Sequence, residues 1–518
     1  MRLTSPLLPA LALGLTACNP FQNLPNNGYY GIDQVLWDPT SAVAAVDGVY
    51  ITLPNARALA RVKDDGTFDQ VDLDGAEVVR MVANPDASKV FVWDRWPVCQ
   101  DPDVKKADDC LDGELSYSYE LTVVEDGQRQ LVKSVPPYLN RLAFSPDGST
   151  AVAYLDYTSG DDLPVDGVVD LTQVSFINLQ TEDAPTSVSI GFSANNVIFS
   201  QDGARAVVLS RSSVVVVDLA TFEKTVEYPL TLDANQQVDP SSAVLTPDGR
   251  YALITITGSS DLYKLDLDVE AIDIISLDAA PAALSVNTAM DKSVVVYSGL
   301  ARADVIEHEY FDISTVPLDE PVTAVIPGST FSLLYNDGSN THDVYKLDIA
   351  SLEATLYVMG NPLNDLLLTA SEHYAVGVQR PENTYGSGLD GYQDSHWGLG
   401  VIDLVNDQDL SLVLQAEPVG TAVVEEADAS YALVLLSGLD TLLQLDLSNP
   451  SVPLELALDA PPVGIGALPD GRFFITHDSP LGLVSFLDPA AGTLSSTAGF
   501  GALGLQTDDT LPRLDASN

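Results

Sequence analysis

The chain has 518 residues, 46% of them hydrophobic and 7% aromatic, which is enough apolar side chain for a large core and excludes a disordered acidic tail. Asp and Glu number 74 against 23 Lys and Arg, a formal charge of −51, so the field around the protein repels phosphate backbones and anionic headgroups. Nucleic acid is therefore not an expected partner, and the acidity by itself describes a solvated surface and names no ligand.

At the amino terminus, Arg2 precedes an apolar run from Leu7 to Leu15 and then small residues leading to a cysteine. This is the layout of a secretory signal, and it is too short to span a bilayer. The tetrad Leu15-Thr16-Ala17-Cys18 resembles the bacterial lipobox, in which cleavage precedes the cysteine and its thiol is joined to diacylglycerol. The resemblance implies a signal peptide over residues 1–17, lipidation of Cys18, and membrane attachment through acyl chains, which anchor stably when there is more than one. Its one departure is the thin positive region, Arg2 alone. Residues 18–39 then read as the lipidated cysteine and an Asn-, Pro- and Gly-rich flexible tether. In the enterobacterial sorting pattern an Asp after the cysteine signals inner-membrane retention, and Asn19 here points instead to the outer membrane.

With Cys18 assigned to lipid, the remaining cysteines form an even pair, Cys99 and Cys110, in one polar stretch. A disulfide is expected in an oxidising envelope. A metal pair is the weaker alternative, because no second Cys or His lies close enough in sequence to complete a zinc site.

From about residue 40 helical periodicity is scarce, and short β-rich runs alternate with Gly, Pro, Asp and Asn clusters. One phrase recurs: an apolar strand, a tight turn, a second apolar strand, and a third strand closing on Asp. The turns are Ser145-Pro146-Asp147-Gly148, Ser200-Gln201-Asp202-Gly203, Thr246-Pro247-Asp248-Gly249 and Leu468-Pro469-Asp470-Gly471, with a looser copy at Asn84-Pro85-Asp86. Pro sets φ, Asp bonds its own backbone and Gly takes the left-handed position, so these aspartates belong to turn chemistry.

Third strands are expected to close on Asp218, Asp266, Asp312, Asp348, Asp403, Asp446 and Asp488, spaced by 48, 46, 36, 55, 43 and 42 residues. That spacing suits one four-stranded blade per repeat. Runs such as Val214–Val217 and Val294–Val296 are apolar without alternation, as when both faces of a sheet are covered by neighbouring sheets.

The paired phrases resemble the YVTN and WD40-like bacterial propellers, where "S-P-D-G-x-x-A/L-V" and a later "V-x-D-L" mark each blade, although the WD dipeptide is absent from the third strands. The resemblance spans residues 40–497 and implies an all-β propeller in one ring of about eight to ten four-stranded blades, with 498–518 as a tail. Eight units are clear. Two, at 41–73 and 320–358, are irregular.

Three repeats are stretched between their second and third strands, at Asp94–Ser116, Asp156–Asp170 and Gln379–Trp397. On a propeller these rise from one face, and function is expected there. Trp96, Arg380, Tyr385, Tyr392, His396 and Trp397 are the candidate binding-face residues, since aromatic and cationic loop side chains suit a protein, glycan or peptide partner. Asp101, Asp103, Asp108, Asp109 and Asp112 could offer oxygen to calcium but lack the EF-hand order, so an ordinary solvated loop is the simpler reading and no cofactor is expected.

Enzyme signatures are poor. Neither a Gly-x-Ser-x-Gly elbow nor a His-Glu-x-x-His helix nor a phosphate-binding Gly-Lys-Ser/Thr occurs. Gly499-Phe500-Gly501-Ala502-Leu503-Gly504 spells the dinucleotide pattern without a following βαβ unit. His308 stands between Glu307 and Glu309 and reads as a surface strand residue, or as a base poised by a carboxylate. No catalytic residue is assigned. The expected function is a noncatalytic envelope scaffold, attached to the membrane through its lipid and binding a protein, peptide or glycan on one face. The alternative, implied by the YVTN resemblance, is a propeller enzyme of lactonase or quinone-dependent dehydrogenase type.

Overall fold

A computed structural model describes residues 36–504 apart from position 75, 100, 102–103, 105–109, 112–114, 137–138, 140, 157–169, 182, 232–237, 270, 339, 383–387 and 427–428. Among the described residues forty strands form ten separate four-stranded antiparallel sheets, each built from four consecutive strands. The blades span 43–72, 77–134, 141–189, 194–229, 240–276, 283–317, 324–358, 363–413, 418–457 and 462–498. The chain is a ten-bladed β-propeller. Both irregular segments, 41–73 and 320–358, are blades in their own right, the first and the seventh.

Burial follows position within each blade. The second and third strands are apolar and closed, as in Tyr251–Ile256 and Ser213–Asp218, because both their faces meet neighbouring blades. Fourth strands such as Ala271–Ser276 form the exposed outer rim. First strands touch those of adjacent blades and line the central channel, half-buried, as in Arg141–Phe144. The core is therefore a series of apolar layers between successive blades, with Val152, Phe176, Val208 and Val215 filling one of them.

The recurring turns join first to second strands. Ser145, Ser200 and Thr246 each donate a hydroxyl hydrogen bond to Asp147, Asp202 and Asp248 at 2.6 Å, and Gly148, Gly203 and Gly249 take φ of 67°, 68° and 69°. The Ser145 hydroxyl and the Ser149 N–H hold the Asp147 carboxyl below the usual carboxylate range, and Ser200 and the Ala204 N–H do the same for Asp202. The closing aspartates cap the turn into the fourth strand: Asp218 accepts from the N–H groups of Ala220 and Thr221, and Asp348 from those of Ala350 and Ser351.

Asp312 is not one of them. Blade 6's third strand is Arg302–Glu307, and Tyr310–Phe311 lie in the turn that follows. Glu307 occupies the closing position, midway in sequence between Asp266 and Asp348, so an acid with the wrong side-chain length displaced the expected register.

The ring closes between blades 1 and 10 without a shared sheet, since all four strands of each come from one continuous segment. A 3-10 turn, Phe500–Gly504, folds back onto blade 1, with Phe500 buried among Trp37, Val49, Ala60 and Phe486. Trp37 and Phe500 thus both pack into the propeller, and Gly501 and Gly504 of the dinucleotide-like sequence belong to this closing turn.

Candidate functional site

In every blade the turn from first to second strand and the turn from third to fourth lie on one face. Loops from second to third strand, and the links between blades, lie on the other. The three stretched loops follow Cys99 in blade 2, Tyr154 in blade 3 and Gln379 in blade 8, so all belong to this second face. Blades 2 and 3 are neighbours, and blade 8 stands across the ring of ten.

Blade 2's second and third strands are long, Val90–Cys99 and Leu115–Glu125. Its first strand pairs no further than Arg95, so residues 96–99 pair only with 115–118, as a two-stranded arm. Such a ribbon is marginal alone. The disulfide between Cys99 and Cys110, as the cysteine count predicts, ties its end. At its base Arg95 makes a forked pair with Glu77 at 2.9 Å and lies 4.4 Å over the Tyr117 ring. Asp101 is exposed beside the disulfide, whereas Asp103, Asp108, Asp109 and Asp112 lie outside the described residues. Among the described residues no group of three or more His, Cys, Asp or Glu is placed to hold a metal.

Several candidate binding residues turn out to hold the fold together. Trp96 lies on a strand, packs against the layer between blades 1 and 2, and donates its indole N–H to Glu120 at 3.2 Å. Arg380 donates to the carbonyls of Asp337 and Leu363 at 2.7 and 2.6 Å, stitching blade 8 to blade 7. Trp397 packs against the layer between blades 8 and 9. These three therefore also make contacts within the body of the fold. Tyr392, 56% exposed on a short helix, Leu389–Asp394, does present itself. Its ring lies 4.2 Å from that of His396, whose Nδ1 is 2.7 Å from the Tyr392 carbonyl. Tyr385, like Cys18, lies outside the described residues.

His308 is corrected from a surface residue to a buried one, 5% exposed. Its Nε2 is 2.8 Å from the Ser293 hydroxyl and its Nδ1 is 2.8 Å from Asp291 Oδ1, the connectivity of a nucleophile relay. Ser293, however, is 0% exposed inside its strand, so no substrate atom reaches it, and the trio acts as a lock between strand and turns. His477, on blade 10, is held in the same way between the Ala460 carbonyl and Ser485, and burial pushes its imidazole below the ordinary pKa. The five histidines do not converge. His342 instead meets Glu382 at 2.9 Å, and His373 stacks on Tyr374.

Sequence patterns did not reveal a set of β-bulges. Of eight register shifts among the described residues, six fall at one place, near the start of the first strand, in blades 2, 4, 5, 8, 9 and 10. The unpaired residues are Val79, Asn195, Ser241, Asn364, Val419 and Val463. A bulge re-aims its side chain and raises local twist. Here it does so at the channel mouth on the loop-bearing face. Two cavities open there: one of about 720 Å³ beside Val79, with Arg57, Arg80 and Asp38 in its wall, and one of about 250 Å³ between Asn195 and Ser241. The only available signal is the proline opening three of these strands, Pro240, Pro418 and Pro462, which lacks an N–H for the ladder.

No protein-family model matches the sequence, and no curated protein is similar to it. Solved structures are similar in fold. A crystal structure described as the eukaryotic initiation factor matches 80% of this chain and 96% of its own at 10% identity, with a TM-score of 0.50. Hydrazine synthase of Kuenenia stuttgartiensis matches 58% of this chain and 94% of its own at 17% identity and a TM-score of 0.35. The β-propeller domain of Cps50 (Swd1) from Myceliophteria thermophila matches 58% of this chain and 96% of its own at 11% identity and a TM-score of 0.32. At these identities the likeness concerns fold alone.

Proposed function

We propose that this protein is a noncatalytic binding scaffold of the bacterial cell envelope, attached through lipidated Cys18 to the outer membrane and engaging a protein partner on its loop-bearing face. The observation that carries the reading is the segregation of elaboration: every stretched loop, including the disulfide-tied arm, belongs to the face of the second-to-third-strand loops, while the opposite face is made of short, internally capped turns. Loops held by a rigid frame are where recognition concentrates. The charge of −51 disfavours nucleic acid and anionic lipid as the bound species, and the reading requires no cofactor. Among the described residues no helix is long and apolar enough to cross a membrane.

Site-specific photo-crosslinking in the native envelope tests this. A crosslinker replacing exposed Leu111 or Tyr392 should give a discrete protein adduct, and one replacing exposed Val405, in a turn of the opposite face, should not. Adducts equally abundant from both faces, or confined to Val405, would overturn the assignment.

A further inference from the structure

Among the described residues each fourth strand ends its sheet, so its outer edge presents backbone N–H and C=O groups to the rim. Proteins blunt such edges with Lys, Pro or bulges, because a bare one templates the addition of another strand. Blade 2 does so with Arg129, Lys133 and a register shift, and blade 4 with Lys224, Pro229 and another shift. Blade 5 does not. Its outer strand, Ala271–Ser276, has no Lys, Arg, Pro or Gly, and all six residues pair in unbroken register with Asp261–Asp266.

The side chains of this rim are divided around the ring. Of nine large hydrophobic residues exposed on fourth strands, eight lie on blades 5 to 9, and the ninth, Phe68 of blade 1, sits beside Phe500. The outer strands of blades 2, 3, 4 and 10 expose Gln, Lys, Glu, Ser and Thr instead. Blade 5 alternates Ile272-Asp273-Ile274, with Ile274 55% exposed, so the two isoleucines stand on one face of the sheet and Asp273 on the other.

An added strand meets each face with its own alternate side chains, and cross-strand pairs favour apolar against apolar and cation against carboxylate. The complement of this edge is therefore a segment in which apolar residues alternate with Lys or Arg. Asp273 pairs with Lys264 of its own blade at 2.8 Å, and at 64% exposure its two oxygens have room for a second cation. A second copy of the chain fits poorly, since self-pairing brings acid toward acid and −51 toward −51, and an anionic lipid surface is repelled on the same ground.

We propose that the outer edge of blade 5 captures an extended polypeptide segment of alternating apolar and cationic residues as a fifth strand. Main-chain hydrogen bonds supply the affinity, and Ile272, Asp273 and Ile274 the selection. The site lies on the rim, apart from the stretched loops.

Hydrogen-exchange mass spectrometry on the purified protein, with the capped octapeptide Lys-Val-Lys-Val-Lys-Val-Lys-Val as probe, is the direct test. The peptide should slow exchange over residues 271–276 and leave residues 493–498, the polar outer strand of blade 10, unchanged. Its fully N-methylated analogue, equal in charge but without backbone donors, should do neither. Ile274→Lys, at an exposed position, should weaken the peptide roughly tenfold by placing a cation against its lysines, with thermal unfolding unmoved. Equal protection of both outer strands, or equal protection by the methylated analogue, would reduce the interaction to charge attraction and overturn the proposal. No protection, or unchanged affinity in Ile274→Lys, would do the same. Protection of 271–276 that rises with protein concentration in the absence of peptide would overturn it in favour of a second copy. Blade 5 is three blades from that of Val405 and the probe is a free peptide, so the crosslinking assignment stands or falls separately.

Discussion

Trp37 and Phe500, from opposite ends of the described chain, meet edge to face with ring centroids 5.0 Å apart and planes inclined at 80°. The Trp37 indole also donates to the Ser479 carbonyl of blade 10 at 2.7 Å, and Thr497 of blade 10 donates to the Lys63 carbonyl of blade 1 at 2.7 Å. Arg472 pairs with Asp64 across the same seam. With no strand shared between first and last blades, these contacts and the buried Phe500 ring hold the circle shut.

Phe500→Ala should therefore cost about 3 to 5 kcal/mol, the usual range for emptying a buried aromatic site. Because the cavity lies at the seam, hydrogen exchange should rise first in blades 1 and 10 and not in blades 5 and 6. Uniform acceleration around the ring would show that closure does not depend on this residue.

Asp94 gives a pH signature. It is 0% exposed, and burial pushes its carboxyl up to about 7; the hydrogen bond from Thr122 opposes the rise and Glu120, directly across the strand pair, adds to it. The folded state thus holds this proton more tightly than the unfolded chain. Its contribution is fully present below about pH 4 and is lost as pH rises through 7, amounting to roughly 4 kcal/mol at most. Asp94→Asn should be more stable than wild type at pH 8, with the advantage shrinking toward pH 4. Thermal unfolding of both proteins across that range checks the sign, and a difference that does not vary with pH would refute it.

The disulfide should matter locally. Replacing Cys99 and Cys110 by Ser frees a short loop, worth about 3 kcal/mol of unfolded-chain entropy in the simple loop model. The bond ties the end of the arm, beyond Trp96 and Tyr117, which pack on the body, so limited proteolysis should cut between residues 99 and 115 while the ring's main unfolding transition moves little. A large drop in that transition would mean the arm is part of the cooperative core.

Cys18→Ser tests the anchor. If the thiol carries the lipid, the variant should appear in the soluble envelope fraction, whereas wild type sediments with membranes and partitions into detergent. Retention of the variant on membranes would remove the lipoprotein reading without touching the fold.

The parts legible beforehand were those governed by local chemistry. A Ser, Asp and Gly at fixed offsets make the same turn wherever they occur, so Asp147, Asp202 and Asp248 could be assigned to turns from spacing alone. The all-apolar strands implied sheets covered on both faces, and the even cysteine pair implied the bond between Cys99 and Cys110. Where one repeat substitutes a different residue, the same method slipped: Glu307 in the closing position concealed blade 6's third strand and lent its place to Asp312.

By itself, then, the sequence determined the blade as a unit and the face from which the long loops rise, because both depend on residues close together in the chain. Tertiary structure alone decided that there are ten blades, that Phe500 and Trp37 close them, and that Trp96, Arg380 and Trp397 pack while Tyr392 stays outside. It also placed His308 within a buried relay. The physical reason is common to all of these. Burial, register shifts and hydrogen-bond partners are properties of neighbours brought together by the ring, and no spacing along a single strand encodes which residue of the next blade will stand opposite.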